Sequence, residues 1–502
     1  MDAQQKRYIL ENLKKKSQQE IARDLGLKER HVRKFLLRHK QKPSPAPLVV
    51  SSNFSFRKNW KFLILVLFLL FILGFSIYSN TFKSEFVFDD LDMKENPVLR
   101  NPSNLAAIWR VDPGRFLTYL TFALNYHFGG EDVFGFHLVN ILIHVITSFM
   151  VLLFIIVLFE TPKLRRSPLY DKARWIAVFS SFLFLSHPLQ TQAVTYTIQR
   201  AASLATLFYV ASLTFYLIGA IHHNRTAYLT SLAAAVGSMF TKPITVTLPL
   251  AILFSDFFLF PPIPNDPYQK RFIKLIPFLA TVLITPLSLI SFWGHGHVGR
   301  LVESATMKTT TPYYYFLTQM NVIVFYLRLV FLPTGQSLYH GFLISHSLFE
   351  PKTFLSFLFL SFLFLSGLLM VKKNPLFTFC TIWFFLALSI ESSFFPINQV
   401  IYEHRMYLPM VGVCLAISSI FITVVKNRKV AGAIFLILTT SLSVLTYRRN
   451  EVWKTRQSLW LDVSKKYQGG NRTMTYDENK GTIAFTRVEH KPFNQWSNQD
   501  AQ

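Results

Sequence analysis

The sequence predicts an all-α protein that crosses a membrane about eleven times, with a cytoplasmic N-terminus and a C-terminus on the outer side. Of its 502 residues, 51% are hydrophobic and 51 are phenylalanine, and the mean hydropathy is +0.31. These residues form long runs, and about 20 apolar residues in succession cross the roughly 30 Å of hydrocarbon in a bilayer. The composition therefore excludes a soluble protein and predicts a helical bundle whose first partner is the lipid bilayer.

Eleven apolar runs are predicted to span the membrane. They lie near residues 60–78, 135–159, 175–187, 201–220, 227–240, 243–260, 274–293, 352–371, 375–390, 406–425 and 430–446. A further apolar segment, 313–333, carries Gln319, Asn321 and Arg328, which are costly in lipid. Counting it as a span would place Lys372 and Lys373 outside, so we predict that it packs at the outer face or is re-entrant.

The formal net charge is +25, concentrated in the N-terminal head and in short loops. This is the distribution that positive-inside topology produces, so the charge by itself requires no nucleic-acid partner. The two cysteines, Cys380 and Cys414, lie inside apolar runs and are predicted to be buried, without a disulfide.

The chain is predicted to divide into four parts: a cytoplasmic head (1–42), a Pro-rich juxtamembrane linker (43–59), the transmembrane domain (60–447) and an extracytoplasmic tail (448–502). Within the head, residues 17–38 fit a helix-turn-helix, with Ser17 as the cap of the first helix and Gly26 in the turn. Such a head could read DNA, which the sequence alone does not favour. The alternative is a basic cap that fixes topology or docks on anionic lipid.

Asp89 and Asp90 follow the first span and are the first candidates for chemistry. A carboxylate at the outer surface could accept a proton from an acceptor hydroxyl or amide, as a general base does. The alternative is a turn and helix cap, since Asp favours both. Two neighbouring carboxylates could also hold a divalent cation, but no third oxygen ligand is evident, so a metal is left undecided.

Polar residues in three further places are candidates. His137, Asn140 and His144 share one face of the second predicted span, where they could line a lipid-phosphate cavity or join helices. His187, Gln199 and Arg200 belong to a polar passage between two spans, in which Arg200 suits a phosphate or serves as an interfacial anchor.

The third place is the stretch from Glu403 to Tyr407, which opens a later span. Arg405 with Tyr407 could grip a lipid-linked phosphate while Glu403 holds Arg200 or Lys242. Equally, Glu403 and Arg405 could form a buried pair that joins two helices. His404 lies between them, and Lys242 belongs to the loop that enters this outer region.

No phosphate-binding glycine loop, nucleophile elbow, zinc spacing or haem motif occurs in the sequence. An ATPase or a hydrolase of the soluble type is therefore not expected.

With these residues identified, the chain resembles the membrane domain of bacterial GT-C-type proteins that carry tetratricopeptide repeats. These are relatives of the transmembrane-and-tetratricopeptide O-mannosyltransferases and of the protein O-mannosyltransferases. The matching passages are Phe86-Val-Phe-Asp-Asp90, Leu120-Thr-Phe-Ala-Leu-Asn-Tyr126, Phe136-His-Leu-Val-Asn140, Ile143-His144, His187-Pro-Leu-Gln-Thr-Gln-Ala-Val-Thr-Tyr196, Gln199-Arg200, Tyr402-Glu-His-Arg-Met-Tyr-Leu-Pro409 and Trp453 with Ser458-Leu-Trp460.

The resemblance implies transfer of a mannose-like hexose from a polyprenyl-phosphate donor to a protein or glycan acceptor outside the cytoplasm, in a bacterial inner membrane. It implies that Asp89 or Asp90 is the base and that the anomeric carbon inverts. The donor phosphate would be bound among His187, Gln199, Arg200, Lys242, Glu403, His404, Arg405 and Tyr407. Acceptor contact or structural support would come from Arg115, Asn125, His137, Asn140 and His144.

The chain departs from the family pattern at three points. Pro243 follows Lys242 where relatives commonly have Glu, and Gln399 stands where many have Asp. The tail after Lys466 shows no 34-residue helical repeat, so acceptor recognition by repeats is not carried over. The remaining alternatives are a non-catalytic scaffold or sensor that couples the head to the bundle, and a lipid or glycan transporter.

Overall fold

The computed structural model describes residues 3–12, 16–40, 56–261, 268–292, 310–397, 399–467, 472–477 and 482–487. Its contacts divide into two compact units, residues 1–51 and residues 52–502. Each unit is described by itself.

The head unit is a small three-helix fold with its own apolar core. Its helices are α1 (Ala3–Asn12), α2 (Gln18–Asp24) and α3 (Glu29–Lys40). Ser17 and Glu20 form a reciprocal capping box at the start of α2, and Gly26 takes a φ of +63° in the turn before α3. The core consists of Ile9, Ile21, Ala22, Val32 and Leu36.

The second unit is almost entirely helical, and its long helices pack around a continuous apolar core. The helices are α4 (Phe56–Tyr78), α5 (Asp90–Glu95), α6 (Leu105–Val111), α7 (Phe116–Gly129), α8 (Val133–Phe159), α9 (Ala173–Ser186), α10 (Thr191–Val194), α11 (Arg200–His222), α12 (Arg225–Met239), α13 (Leu248–Leu259), α14 (Tyr268–Ala280), α15 (Ile284–Phe292), α16 (Pro312–Phe331), α17 (Pro351–Leu369), α18 (Pro375–Leu388), α19 (Pro409–Val424), α20 (Arg428–Val452) and α21 (Arg456–Lys466).

Among the residues that the structure describes, seven helices are long and apolar enough to cross a membrane: Asn59–Thr81, Val133–Phe159, Thr197–His222, Arg271–Ser288, Pro312–Phe331, Pro351–Leu369 and Arg428–Val452. Shorter apolar helices lie at 243–259, 375–388 and 409–424. The protein is therefore a multi-pass membrane protein with an α-helical bundle, as predicted. The number of eleven spans and the sides of the two termini stay predictions.

The bundle has two chemically different ends. At one end, which we call the basic end, Lys163 N–H donates to Leu259 O across 3.1 Å and Lys172 Nζ to Ile422 O across 3.3 Å. The first contact joins the segment after α8 to the end of α13, and the second joins the start of α9 to α19. The opposite end, which we call the carboxylate end, holds Asp89 and Asp90.

Helix α16 contacts loops of the carboxylate end along its length, but it is also long and apolar enough to cross a membrane, so the packing of segment 313–333 at the outer face stays a prediction. Its first turn reaches the loop after α18, since Tyr315 Oη donates to Glu391 O (2.7 Å). Near its middle, Asn321 Nδ2 donates to Thr353 Oγ1 at the start of α17 (2.9 Å). Near its last turn, Val330 O accepts from His187 Nε2 just after α9 (2.9 Å).

The described tail residues contain a feature that the all-α prediction omits. After α21, strands β1 (Arg472–Asp477) and β2 (Thr482–Arg487) form an antiparallel hairpin, with Arg472 opposite Arg487. The all-α fold class is confirmed for the bundle, and the hairpin is a local addition in the tail that the sequence analysis did not predict. In the part of the tail that the structure describes, α21 and the hairpin form no pair of repeat helices.

Candidate active site

The two candidate carboxylates sit on a strained turn. Phe88, immediately before them, has a φ of +53°, which is rare for a bulky residue. This backbone conformation costs of order 1–3 kcal/mol, which contacts elsewhere must offset. The Phe88 ring lies among Tyr196, Tyr339 and Trp460, with centroid distances of 6.4, 5.7 and 5.8 Å. This aromatic cluster holds the turn in place and so aims the next two side chains.

Asp90 is buried and its carboxylate holds two chain segments together. Its Oδ1 accepts from Ile198 N (2.7 Å) and its Oδ2 from Val87 N (3.2 Å). Burial raises the pKa of Asp90 to about 7, against the opposing effect of these amide donors. Its oxygens are occupied by backbone amides, which matches the turn role that the sequence left open for this pair.

Asp89 has the more accessible carboxylate. It is half-buried and stands at the cap position of α5, yet its side chain makes no capping hydrogen bond. Its own N–H donates to Tyr196 Oη (3.0 Å). Burial raises the pKa of Asp89 above its ordinary value, while the Tyr196 hydroxyl and the charge of Arg115 oppose the rise. A partly desolvated carboxylate of this kind is a better proton acceptor than a free one.

A group of cationic residues lies near Asp89 at the same end of the bundle. The Lys242 ammonium lies 2.9 Å from Glu391 Oε1, and both side chains are buried. Burial opposes ionisation of Glu391, but the charges of Lys242 and Arg405 hold its pKa below the ordinary value. The missing Glu after Lys242 is therefore replaced by a carboxylate from another part of the chain.

Arg115 reaches this group because α7 begins beside the Lys242 loop. Leu117 N–H donates to Phe240 O (2.9 Å), and Thr118 Oγ1 donates to Thr241 O (3.1 Å). The Arg115 guanidinium is half-exposed and lies 3.5 Å from Asp112. Its positive charge lowers the pKa of Asp89 and also that of Lys242, so Arg115 interacts electrostatically with both groups.

His404 is a neutral imidazole beside these cations. Burial and the positive charges of Lys242 and Arg405 hold its pKa well below the ordinary value. Its backbone N–H donates to Gln192 Oε1 (2.7 Å), and its ring stacks on Tyr402 with 5.1 Å between centroids. The ring Nδ1 is buried without a hydrogen-bond partner among the described residues.

Arg405 shapes the loop that carries Glu391. Its guanidinium donates to three backbone oxygens of that loop: Glu391 O (3.4 Å), Val400 O (3.0 Å) and Gln399 O (2.6 Å). It forms no ion pair with Glu403 among the described residues. Its charge acts on the site, but most of its donors are used within the protein.

Arg200 does not face the site as a phosphate-binding group. It is fully buried, and its guanidinium donates to Asn140 Oδ1 (2.6 Å), Asn125 Oδ1 (2.6 Å), Thr121 Oγ1 (3.2 Å) and Phe136 O (3.0 Å). The prediction of a donor-phosphate contact is corrected to an internal anchor between α7, α8 and α11. Gln199 is half-buried directly before it.

Three other predicted donor-site residues also point elsewhere. Glu403 accepts from Gln336 Nε2 (2.7 Å), Ser337 N (2.8 Å) and His340 Nε2 (3.0 Å), so it holds neither Arg200 nor Lys242.

His187 and Tyr407 are internal as well. His187 donates to Val330 O (2.9 Å) and accepts from Leu189 N (3.1 Å). The Tyr407 hydroxyl contacts His144 Nδ1 (2.7 Å) inside the bundle. These donor-phosphate predictions are therefore replaced by structural roles.

The polar stripe on α8 joins helices. His137 Nε2 contacts Ser84 O (3.1 Å), Asn140 Nδ2 donates to Val194 O (3.0 Å), and His144 Nε2 contacts Leu185 O (3.1 Å). Of the two roles that the sequence left open, these contacts favour the joining of helices. Among the described residues, no group of three or more His, Cys, Asp or Glu could hold a metal ion.

Sequence reasoning missed several residues at the site. Glu391 was a visible signal, since it is a carboxylate directly after an apolar run. Tyr196 and Trp460 belong to passages that match the family but were given no role, and Tyr339 gave no signal, because aromatic residues are common in every part of this chain. They become recognisable only when distant segments meet around Phe88.

Comparisons with known proteins give related sequences. The chain is 24% identical over 412 residues to protein O-mannosyl-transferase F38B6.6 of Caenorhabditis elegans. This match covers 78% of the chain and 56% of the worm protein. It is 33% identical over 154 residues to protein O-mannosyl-transferase TMTC4 of Mus musculus, a match that covers 27% of this chain and 20% of the mouse protein. It is 27% identical over 250 residues to protein O-mannosyl-transferase TMTC2 of Homo sapiens, a match that covers 45% of this chain and 28% of the human protein.

The chain thus spans about half the length of the worm relative and less of the other two. No protein-family model matches it, and no solved structure does.

Proposed function

Because this chain is a membrane protein related to the protein O-mannosyl-transferases, we propose that it transfers a mannose-like hexose from a polyprenyl-phosphate donor to a hydroxyl of a protein or glycan acceptor. The observation that carries the proposal is the half-buried Asp89 carboxylate, which has a raised pKa, follows the positive-φ turn at Phe88 and feels the positive charge of Arg115. The outer face of a bacterial cytoplasmic membrane is our proposed location, although the three relatives described above come from animals.

In this mechanism Asp89 is the general base. It takes the proton of the acceptor hydroxyl while the oxygen attacks the anomeric carbon of the sugar. A new carbon–oxygen bond forms on one face as the bond to the phosphate oxygen breaks on the other, so the anomeric centre inverts. The proton remains on Asp89 until solvent removes it.

The leaving lipid phosphate needs positive charge. Arg115 and Lys242 are the candidates with donors available, while Arg405 contributes its charge from behind the 391–400 loop. The neutral His404 ring offers a hydrogen bond without adding a charge. Preorganised donors of this kind stabilise the charge that develops in the transition state.

Asp90, Asn140 and Arg200 act as positioning residues in the proposal. Asp90 binds the backbone of Ile198, and the α11 helix that starts two residues later carries Arg200 into its anchor on α7 and α8. A shift of about 1 Å at the base would cost about 10²-fold in rate.

The test is turnover of polyprenyl-phosphate sugars by the purified chain with three matched substitutions. We expect Asp89→Asn to lower kcat by about 10²–10⁴-fold, the range that a general base contributes. Asp90→Asn should lower both turnover and thermal stability, because one backbone amide loses its acceptor. Asp92→Asn is the control: Asp92 is exposed on the same short helix and reaches Asp89 only through its charge, so this variant should keep turnover close to that of the wild type.

Two outcomes would contradict the proposal. If the wild-type chain consumes no donor, or if Asp89→Asn turns over like Asp92→Asn, the carboxylates serve the turn only. The scaffold interpretation would then replace the enzyme.

A further inference from the structure

We propose that the N-terminal head binds duplex DNA through the exposed basic face of α3. This inference is independent of sugar transfer, because it concerns only the first compact unit. It rests on the arrangement of the three helices, on the position of the basic side chains relative to the core, and on the chemistry of the surface that surrounds them.

The helix order is that of a helix-turn-helix. Helix α2 is followed by a four-residue turn, 25–28, and then by α3, which is 12 residues long. Gly26 with φ +63° makes the turn possible without strain. Helix α1 supports the pair, since Tyr8 Oη and Lys16 Nζ both donate to Asp24 at the end of α2 (2.9 and 2.7 Å).

Helix α3 turns opposite faces to the core and to solvent. Val32 and Leu36 are buried against α2 and α1. Arg30, Arg33 and Lys34 are exposed, and their spacing of i, i+3 and i+4 places them together on the side away from that core. None of the three has an ion-pair partner among the described residues.

The charge of this helix suits a phosphate backbone. It carries five Lys or Arg residues and a single acidic one, Glu29. Lys28 and His31 are exposed next to the basic face and extend it. A helix of about 10–12 Å diameter fits the major groove of B-DNA, which is about 12 Å wide, and its Lys and Arg side chains then reach the phosphates.

The surface favours DNA over a membrane as the ligand. An interfacial helix inserts large apolar side chains among lipid headgroups. Among the head residues whose side chains the structure describes, none of the large apolar ones is exposed. The attraction that α3 offers to a ligand is therefore electrostatic, and it comes from the basic side chains on one face of the helix.

The experiment uses the full chain in nanodiscs of phosphatidylcholine, which carry no net charge to compete. Fluorescence anisotropy of a labelled mixed-sequence duplex of about 25 base pairs is measured over a salt series. The variant Arg30→Ala, Arg33→Ala, Lys34→Ala removes the proposed contacts. The control Lys372→Ala, Lys373→Ala, Lys429→Ala removes the same charge from exposed positions of the second unit, two in a short loop and one in the first turn of α20.

We expect wild type and control to bind with a dissociation constant in the micromolar range or tighter, with binding that weakens steeply as salt rises. The head variant should bind about 10–100-fold more weakly. Its slope of log K against log salt should be smaller by about 2–3, because each lost phosphate contact contributes about 0.9.

Three results would overturn the proposal. One is absence of duplex binding by the wild type, and a second is equal binding by the head variant and the control. The third is equal affinity for a single strand of the same length, which would exclude docking in a groove. Sedimentation with phosphatidylglycerol vesicles that depends on the same three residues, without duplex binding, would assign the face to lipid instead.

Discussion

At the scale of single residues, the structure separates two carboxylates that are neighbours in sequence. Asp90 accepts two backbone hydrogen bonds and is buried, whereas Asp89 remains half-exposed and close to Arg115 and Tyr196. The difference arises because the turn at Phe88 directs one side chain inward and leaves the other at the surface. Neighbouring residues of identical type thus receive different chemistry from their surroundings.

The Tyr196 hydroxyl leads to a prediction about pH. Its hydrogen bond lowers the pKa of Asp89, opposing the effect of burial. In Tyr196→Phe the pKa of Asp89 should therefore be higher, and a base with a higher pKa becomes protonated at a higher pH. We expect the acid limb of the kcat profile to move to higher pH, while the rate at its plateau falls less than in Asp89→Asn.

Turnover measured between about pH 4 and pH 9 tests this shift. Tyr209→Phe is the matched control, because Tyr209 is buried on α11 away from the carboxylates and contacts Thr247 (3.3 Å). An acid limb that moves equally in both variants, or that moves to lower pH in Tyr196→Phe, would contradict the assignment of Tyr196 as a partner of the base.

At the scale of elements, close helix packing depends on small residues. Gly412 on α19 faces Trp383 of α18, and a Cβ added there would lie 2.6 Å from Trp383 Cδ1. The Trp383 ring is itself held in place, because its Nε1 donates to Leu408 O (3.1 Å). Small residues at such positions let membrane helices approach closely, since no hydrophobic effect drives them together in lipid.

Gly412→Ala should therefore destabilise the bundle by about 1–3 kcal/mol, the usual cost of overpacking. Gly432→Ala on α20 is the control, because nothing lies within 4 Å of its added Cβ. A helical glycine replaced by alanine in open space should be neutral or stabilising by up to about 1 kcal/mol. Thermal unfolding of both variants in the same detergent compares them, and equal midpoints would contradict the close contact.

At the scale of the whole molecule, the two ends of the bundle predict its orientation. Exposed lysines at 372 and 373 occupy a short loop of the kind that stays in the cytoplasm, while Asp92 lies at the carboxylate end. Cysteines placed at residue 372 and at residue 92 should react with a membrane-impermeant maleimide from opposite sides. Cys380 and Cys414 are free but buried, so the background should be low.

Labelling in intact cells and in inverted vesicles tests this topology. We expect residue 92 to be labelled only in cells and residue 372 only in inverted vesicles. Labelling of both from the same side would contradict the predicted odd number of spans between them. Labelling of residue 92 only in inverted vesicles would place the proposed chemistry on the cytoplasmic face of the membrane.

Much of this architecture is readable from the sequence for a physical reason. Apolar runs, capping residues and charge bias act locally, so Ser17, Gly26 and the boundaries of the long helices are visible in a short stretch of chain. The position of the Asp pair after the first apolar run is equally local. The strands 472–477 and 482–487 were missed although Met474 and Tyr476, and Ile483 and Phe485, follow a period of two, because an alternation of only six residues is a weak signal.

The sequence by itself determined that this is a helical membrane protein with a basic folded head and a carboxylate pair after its first long helix. Only the tertiary structure decided that Asp89 is the accessible carboxylate, that Arg200 is an internal anchor, and that Glu391 pairs with Lys242. The reason is sequence distance. Lys242 and Glu391 are 149 residues apart, and the burial and hydrogen bonds that set the role of an ionisable group come from segments that no local pattern connects.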